Sequence, residues 1–334
     1  MTEEILALEH VCKSFSVLRS GIGASLRSRE ILKAVVDVSL TVHSGETLGL
    51  VGESGCGKTT LGRLIVRLER PDSGRILYRQ QDLAQLDESS LRNSRTRIQM
   101  VFQDPQSSLN PRKTIGDAIT EPMIVHRLVP KRDVESARDR LLRQVGLSAA
   151  IAPRYPRELS GGQRQRVGIA RALAVNPEII IADEAVSSLD VSIRAQILNL
   201  LKDLKKEYGL TLIFISHDLS VVNYVSDRVG VMYLGRLIEH GTVDAVFRNP
   251  GHPYTRGLLV ANPSRDPARK RRKPAITGDL PSAVNPPSGC VFRTRCPIVQ
   301  PKCSEDVPQK VELGPDHWAA CWFTNIGGFP GTGS

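Results

Sequence analysis

The segment Gly52-Glu53-Ser54-Gly55-Cys56-Gly57-Lys58-Thr59 constrains this chain more than any other. It fits the spacing G-x-x-x-x-G-K-[ST] and lies between an apolar run ending Leu48-Gly49-Leu50-Val51 and a helical pattern from Lys58 to about Leu68. A strand that enters a glycine-rich turn and leaves as a helix converges backbone N–H groups on one spot, and the helix N-terminus adds partial positive charge there. That arrangement suits a polyphosphate. Lys58 reaches toward its terminal phosphates, the Thr59 hydroxyl is offered to Mg²⁺, and Thr60 stands beside it. Cys56 serves this loop through its backbone rather than through a reactive thiol.

Around the loop, residues 5–11, 35–42, 47–51, 179–182, 212–215 and 229–234 read as strands, and helical patterns run near 192–207 and 219–226. Such alternation predicts an α/β fold with a parallel sheet covered on both faces. Pro71-Asp72-Ser73-Gly74 is a turn that stops the first helix. Between about 104 and 165 the strand signals vanish, and Leu141, Leu142 and Val145 fall at helical spacing, which predicts a helical insertion. Residues 262–289 are rich in Pro, Ser and charge and read as a linker into a cysteine-bearing extension over 290–334. The longest apolar runs, such as Leu210–Ile215, are strand-sized and cannot span a bilayer. No secretory signal is visible at the N-terminus, so a cytoplasmic, reducing setting is expected and the six cysteines are not read as three disulfides.

A second chemical element is Ile179-Ile180-Ile181-Ala182-Asp183-Glu184, an apolar strand ending in two acids. Beside a phosphate loop, Asp183 is placed to hold the Mg²⁺ shell, and Glu184 to orient or deprotonate water attacking a γ-phosphate. His217 follows Leu212-Ile213-Phe214-Ile215-Ser216, at the strand edge where open parallel sheets bind ligands, and is a candidate γ-phosphate contact.

A third element, Leu159-Ser160-Gly161-Gly162-Gln163, places a capping Ser before a glycine-opened helix start suited to an anion. With this segment the chain resembles the ABC ATPases over residues 5–260. The resemblance implies a parallel-sheet core, an antiparallel β subdomain and a helical insertion over residues 1–261. It implies that Ser160, Gly161, Gly162 and Gln163 close over ATP held by a partner's phosphate loop. It makes Gln103 the Q-loop residue, near Mg²⁺ and the attacking water, Ser188-Leu189-Asp190 the D-loop, His217 the switch histidine and Phe15 the aromatic that stacks on adenine. Ala185 stands where Pro commonly follows the catalytic Glu, and Thr59-Thr60 where Ser-Thr is commoner, but neither change removes a functional group.

Three further stretches, 104–112, Gly251-His252-Pro253-Tyr254-Thr255 and 289–297, look like the ATPase subunits of oligopeptide/dipeptide/nickel-type ABC importers, and Leu68–Gly74 looks more like the second of their two paralogous ATPases. That likeness implies ATP hydrolysis powering peptide uptake at the cytoplasmic face of the cell membrane. The implied assembly is a heterodimer with a sister ATPase, docked on two permeases fed by an external solute-binding protein. Import of nickel or another small solute by the same machinery is the alternative within the family. Outside it stand a soluble ABC ATPase acting on nucleic acid and a tail that senses metal or redox state.

Cys290, Cys296, Cys303 and Cys321 form a set of soft ligands, with Arg293 and Arg295 close enough in sequence to favour thiolates. They suit a Cys₄ zinc site or a [4Fe–4S] cluster, with His317 as a substitute ligand, and unligated thiols or labile disulfides as alternatives. The lack of close Cys pairs favours iron–sulfur, as does the family likeness. The net charge of +10 has a local source, since six of the nine residues 265–273 are basic and one is acidic. In a linker such a run is solvated or drawn to anionic headgroups. With aromatics at 4%, base stacking is a poor account of the charge and no nucleic-acid partner is expected.

Overall fold

The strands that flank the glycine loop are apolar at nearly every position, the pattern of strands buried on both faces. The computed structural model describes residues 3–18, 29–104, 108–187, 189–261, 276 and 278–324. The basic run 265–273, Ser188 and residues 105–107 lie outside the described residues. In chain order the strands are β1 (Glu4–Leu18), β2 (Arg29–His43), β3 (Thr47–Val51), β4 (Ser73–Tyr78), β5 (Gln81–Asp82), β6 (Ile98–Val101), β7 (Ile179–Asp183), β8 (Thr211–Ser216), β9 (Arg228–Tyr233), β10 (Arg236–Thr242), β11 (Val311–Gly314) and β12 (His317–Ala319).

They form two sheets. One is antiparallel, in the order β2-β1-β4-β5, and the other has the order β11-β12-β10-β9-β3-β8-β7-β6. In the larger sheet β9, β3, β8, β7 and β6 run parallel, with Leu48 opposite Ile213 and Ile180 opposite Leu212. Side-chain alternation assigns its two faces. Ile179, Ile181, Ile213 and Ile215 pack with Leu61, Leu64 and Ile65 of the helix Lys58–Ile65. Ile180, Ala182, Leu212 and Phe214 pack on the other side with Ile169, Ala170 and Leu173 of the helix Gly161–Leu173 and with Ile197 and Leu201 of the helix Val191–Tyr208. Two helices, Ile115–Val125 and Val134–Gln144, fill the stretch without strand signals, and Leu141 and Leu142 are buried there. Among the described residues no helix is long and apolar enough to cross a membrane.

The expected parallel-sheet core is present in β9-β3-β8-β7-β6, and β10, β12 and β11 extend the same sheet antiparallel, so that the whole is mixed. Two expectations need revision. The helix after the glycine loop stops at Ile65, short of Leu68, where Arg67 takes a left-handed backbone at φ 56°. The cysteine-bearing tail is also built into the sheet: Glu239 of β10 faces Ala319 of β12, and His240 faces Trp318. Strands of three and four residues are too short to show periodicity in the sequence.

Candidate functional site

The strands β3, β6, β7 and β8 run parallel and deliver Gly52–Thr59, Gln103, Asp183–Glu184 and His217 to one edge of the sheet. The loop after β3 needs its glycines. Gly57, at φ 103°, precedes the helix, and a Cβ there would lie 2.2 Å from the Ala34 carbonyl oxygen; at Gly52 it would lie 2.3 Å from that of Met232. Lys58 arches over its own loop, donating from Nζ to the carbonyls of Gly52 (2.8 Å) and Glu53 (2.9 Å). Ser54 and Gly55 form the exposed crest, while Cys56 is fully buried and burial pushes its thiol up despite nearby Lys58. Thr60 is half-buried one residue beyond Thr59.

Thr59 Oγ1 donates to Asp183 Oδ1 at 2.9 Å, joining the loop to the end of β7. Burial raises the Asp183 carboxyl above its ordinary value, with neighbouring Glu184 adding to the shift and the Thr59 hydrogen bond opposing it. Glu184 takes a left-handed backbone, φ 45°, which costs a non-glycine residue about 1–3 kcal/mol. Its N–H donates to the Ile215 carbonyl at 3.0 Å. Its two carboxylate oxygens face different partners: Gln103 Nε2 donates to Oε2 at 2.9 Å, and His217 Nδ1 lies 3.4 Å from Oε1. Gln103 and His217 are exposed and Glu184 is largely covered, so the acid is fixed and its partners face solvent.

The remaining expected residues stand apart from this group. Ser160 caps the helix Gly161–Leu173 in a reciprocal pair: Gln163 N donates to Ser160 Oγ at 3.3 Å, and Ser160 N donates to Gln163 Oε1 at 3.0 Å. Gly162 faces Ile193, where a Cβ would meet Cγ2 at 2.6 Å, and Gly161 faces Leu189. Asp190 precedes the helix Val191–Tyr208 and is exposed. Phe15 on β1 is half-exposed, with Lys13 Nζ 5.3 Å from its ring centre. Asp72 fastens that strand by accepting from Ser14 N at 2.6 Å and from Lys13 Nζ at 3.1 Å.

Several contacts to the loop come from residues that sequence reasoning did not assign to it. Glu53 N donates to Tyr254 Oη at 2.9 Å, and Arg295 makes a paired contact with the Glu53 carboxylate. Glu239 on β10 is fully buried and accepts from Gly251 N (2.6 Å) and His252 N (2.9 Å), with His317 Nε2 at 2.9 Å. His317 is therefore engaged with Glu239 rather than aimed at the cysteines. The Gly251–Tyr254 motif was visible in the sequence, but the buried acid that organises it carried no local signal.

Cys290, Cys296, Cys303 and Cys321 line one small apolar cavity with His252, Phe292 and Trp322. All four are free thiols, and no three or more His, Cys, Asp or Glu among the described residues are grouped to hold a metal ion. Burial pushes Cys296 up to about 12 and Cys321 up to about 11, with further repulsion from the other cysteines; Cys290 is raised the same way. Arg293 works against the rise at Cys290, as expected of a nearby arginine, but burial outweighs it and the thiol is not favoured as thiolate. Arg295 turns away to Glu53, and Arg293 Nε donates to the Ser288 carbonyl at 2.9 Å.

A phosphate loop after β3, paired acids after β7, a histidine after β8 and a capped glycine-opened helix define a P-loop ATPase of cassette type. Residues 35–187 match the family model described as ABC transporter, and residues 238–303 match the one described as oligopeptide/dipeptide transporter, C-terminal region. The oligopeptide transport ATP-binding protein AppF of Bacillus subtilis (strain 168) is 52% identical over 324 residues, covering 96% of this chain and 97% of its own. The probable peptide ABC transporter ATP-binding protein y4tS of Sinorhizobium fredii (strain NBRC 101917 / NGR234) is 51% identical over 321 residues, covering 96% and 90%. Among solved structures, the dimeric post-hydrolysis state of the ATP-binding cassette MJ0796 bound to ADP and Pi superposes with a TM-score of 0.63 at 30% identity, over 72% of this chain and 99% of that one. The chain belongs to the ABC transporter family, as an ATP-binding subunit of the oligopeptide/dipeptide type.

Proposed function

We propose that this chain hydrolyses ATP to power the uptake of peptides, bound peripherally at the cytoplasmic face of the cell membrane to two permeases that an external solute-binding protein supplies. The observation that carries the hydrolytic part is the placement of Glu184. It is a largely covered carboxylate bounded by Gln103 on one oxygen and His217 on the other, beside the loop that suits phosphates. The N–H groups of the Gly52–Thr59 loop other than that of Glu53, which donates to Tyr254, hold the β- and γ-phosphates together with Lys58, and Phe15 stacks on the base. Thr59, Asp183 and Gln103 would hold a Mg²⁺ ion, which would supply positive charge to offset that of the terminal phosphates. Glu184 orients the attacking water and accepts its proton, and His217 steadies the charge that develops on the γ-phosphate.

Ser160 and Gln163 satisfy each other rather than groups of their own phosphate loop, which leaves the helix start at Gly161–Gly162 to close on ATP in a second subunit. We assign that subunit to a sister ATPase, with Asp190 at the shared seam. The helices Ile115–Val125 and Val134–Gln144 then carry closure to the permeases.

The four cysteines fit a soft metal centre in donor chemistry and in lining one cavity, and a [4Fe–4S] cluster suits their wide spacing better than zinc. Such a cluster would convert the four thiols, of which Cys303 and Cys321 are buried and Cys290 and Cys296 half-buried, to bound thiolates and fasten the tail. Reconstitution in liposomes with the permeases and binding protein tests the function: ATP-dependent uptake of a labelled oligopeptide supports it. An ATPase stimulated by DNA or RNA, without copurifying permeases, would refute it.

A further inference from the structure

Glu53 poses an electrostatic problem in its own loop, because a carboxylate beside a bound polyphosphate repels it. Lys58 does not relieve this, since its Nζ bonds the Glu53 carbonyl and not the carboxylate. Arg295 does relieve it: Nη1 donates to Oε2 at 2.7 Å and Nη2 to Oε1 at 3.0 Å, a two-pronged pair that fixes orientation as well as charge. The Arg295 side chain is 9% exposed and that of Glu53 29%, so solvent screens the pair only in part.

Arg295 is itself held in place. Its guanidinium lies 5.9 Å from the Tyr233 ring centre, and Nη1 is 3.5 Å from the Tyr233 hydroxyl. Phe292 packs edge-on against Tyr233 (5.3 Å) and Tyr254 (5.5 Å), and Tyr254 accepts from the Glu53 N–H. The backbone of Glu53 is therefore gripped by Tyr254 of the helix Pro253–Ala261 and its side chain by Arg295, whose loop continues into Cys296.

We propose that Arg295 is a positioning residue of the nucleotide site: reaching from the cysteine-bearing tail, it neutralises Glu53 so that the phosphate loop accepts ATP. The inference rests on the ATPase reading above and adds the tail to the nucleotide site of its own subunit. Any rearrangement of Phe292–Cys296 reaches the loop through this pair.

Titration of the full-length protein with a fluorescent ATP analogue, alongside steady-state ATPase kinetics, tests it. Arg295→Met weakens binding by about tenfold, more than an exposed pair would give, and leaves kcat at saturating ATP within about twofold. Glu53→Gln in the Arg295→Met background restores affinity to within about threefold of wild type, because the charge needing neutralisation is gone. A merely structural role for Arg295 predicts no such rescue. Unfolding midpoints establish that each variant is folded, and Arg295→Gln, which keeps a donor in place, carries the same expectation if the Met variant does not fold. Wild-type affinity in the Arg295 variants, or a double variant as weak as Arg295→Met alone, overturns the inference. Failure of the wild-type protein to bind the analogue overturns the ATPase reading instead.

Discussion

Thr59 and Asp183 are joined by a 2.9 Å hydrogen bond across 124 residues of sequence, tying the phosphate loop to the strand that bears the acidic pair. Burial raises the Asp183 carboxyl above its ordinary value of 3.8. Such a group favours the folded state fully below its ordinary value, and that contribution is lost as pH rises through the raised one. In nucleotide-free protein Asp183→Asn should therefore raise the melting midpoint by about 2 °C at pH 7–8, with the gain gone below about pH 4. The same variant should lose ATPase activity by roughly 100-fold or more. A variant that melts lower at neutral pH contradicts this account of the buried acid.

His217 reaches Oε1 of Glu184 without being buried, so its removal should spare the fold. His217→Ala is expected to lower kcat by roughly 100-fold while ATP binding changes by less than about threefold. Equal losses in both would place His217 in ground-state binding rather than in the hydrolytic step.

The parts of the site that sit within one strand–loop–helix unit were legible in the sequence, because the glycines, Lys58 and Thr59 are contiguous and lie next to an apolar strand. Asp183, Glu184 and His217 were legible too, since each ends an apolar run and parallel strands share an edge. The long hairpin of β1 and β2 extended well beyond the short apolar runs that announced it. What stayed hidden were pairings over long separations between residues of ordinary type. Glu239 carries no local signal and His317 was read as a substitute metal ligand, yet the two meet because β12 adds to β10. Arg295 was read, with Arg293, as favouring thiolates among the nearby cysteines, but the fold carries it to Glu53. Proximity in sequence favoured the cysteine, whereas tertiary placement decided for the carboxylate.

Glu239 is fully buried and answers two backbone donors and one imidazole. Glu239→Leu leaves them unpaired and should cost about 3 kcal/mol, lowering the melting midpoint by roughly 4 °C. Because the same segment positions Tyr254 under the phosphate loop, ATP affinity should fall with it. A midpoint unchanged within about 1 °C contradicts the assignment.

The cysteine cavity has a spectroscopic test. Protein purified anaerobically should show visible absorption, with iron and acid-labile sulfide in equal amounts, and Cys296→Ser should lose both. Stoichiometric zinc with no visible absorption would replace the cluster with a Cys₄ zinc site.

The proposed role of Glu184 in the hydrolytic step is measured most directly by the ATPase rate of Glu184→Gln. The amide keeps the shape of the side chain and removes the proton acceptor. The predicted result is a kcat at least about 100-fold below wild type, with ATP still bound and subunits held together in a slowly decaying ATP-bound dimer. A near-normal turnover rate in that variant would contradict the account.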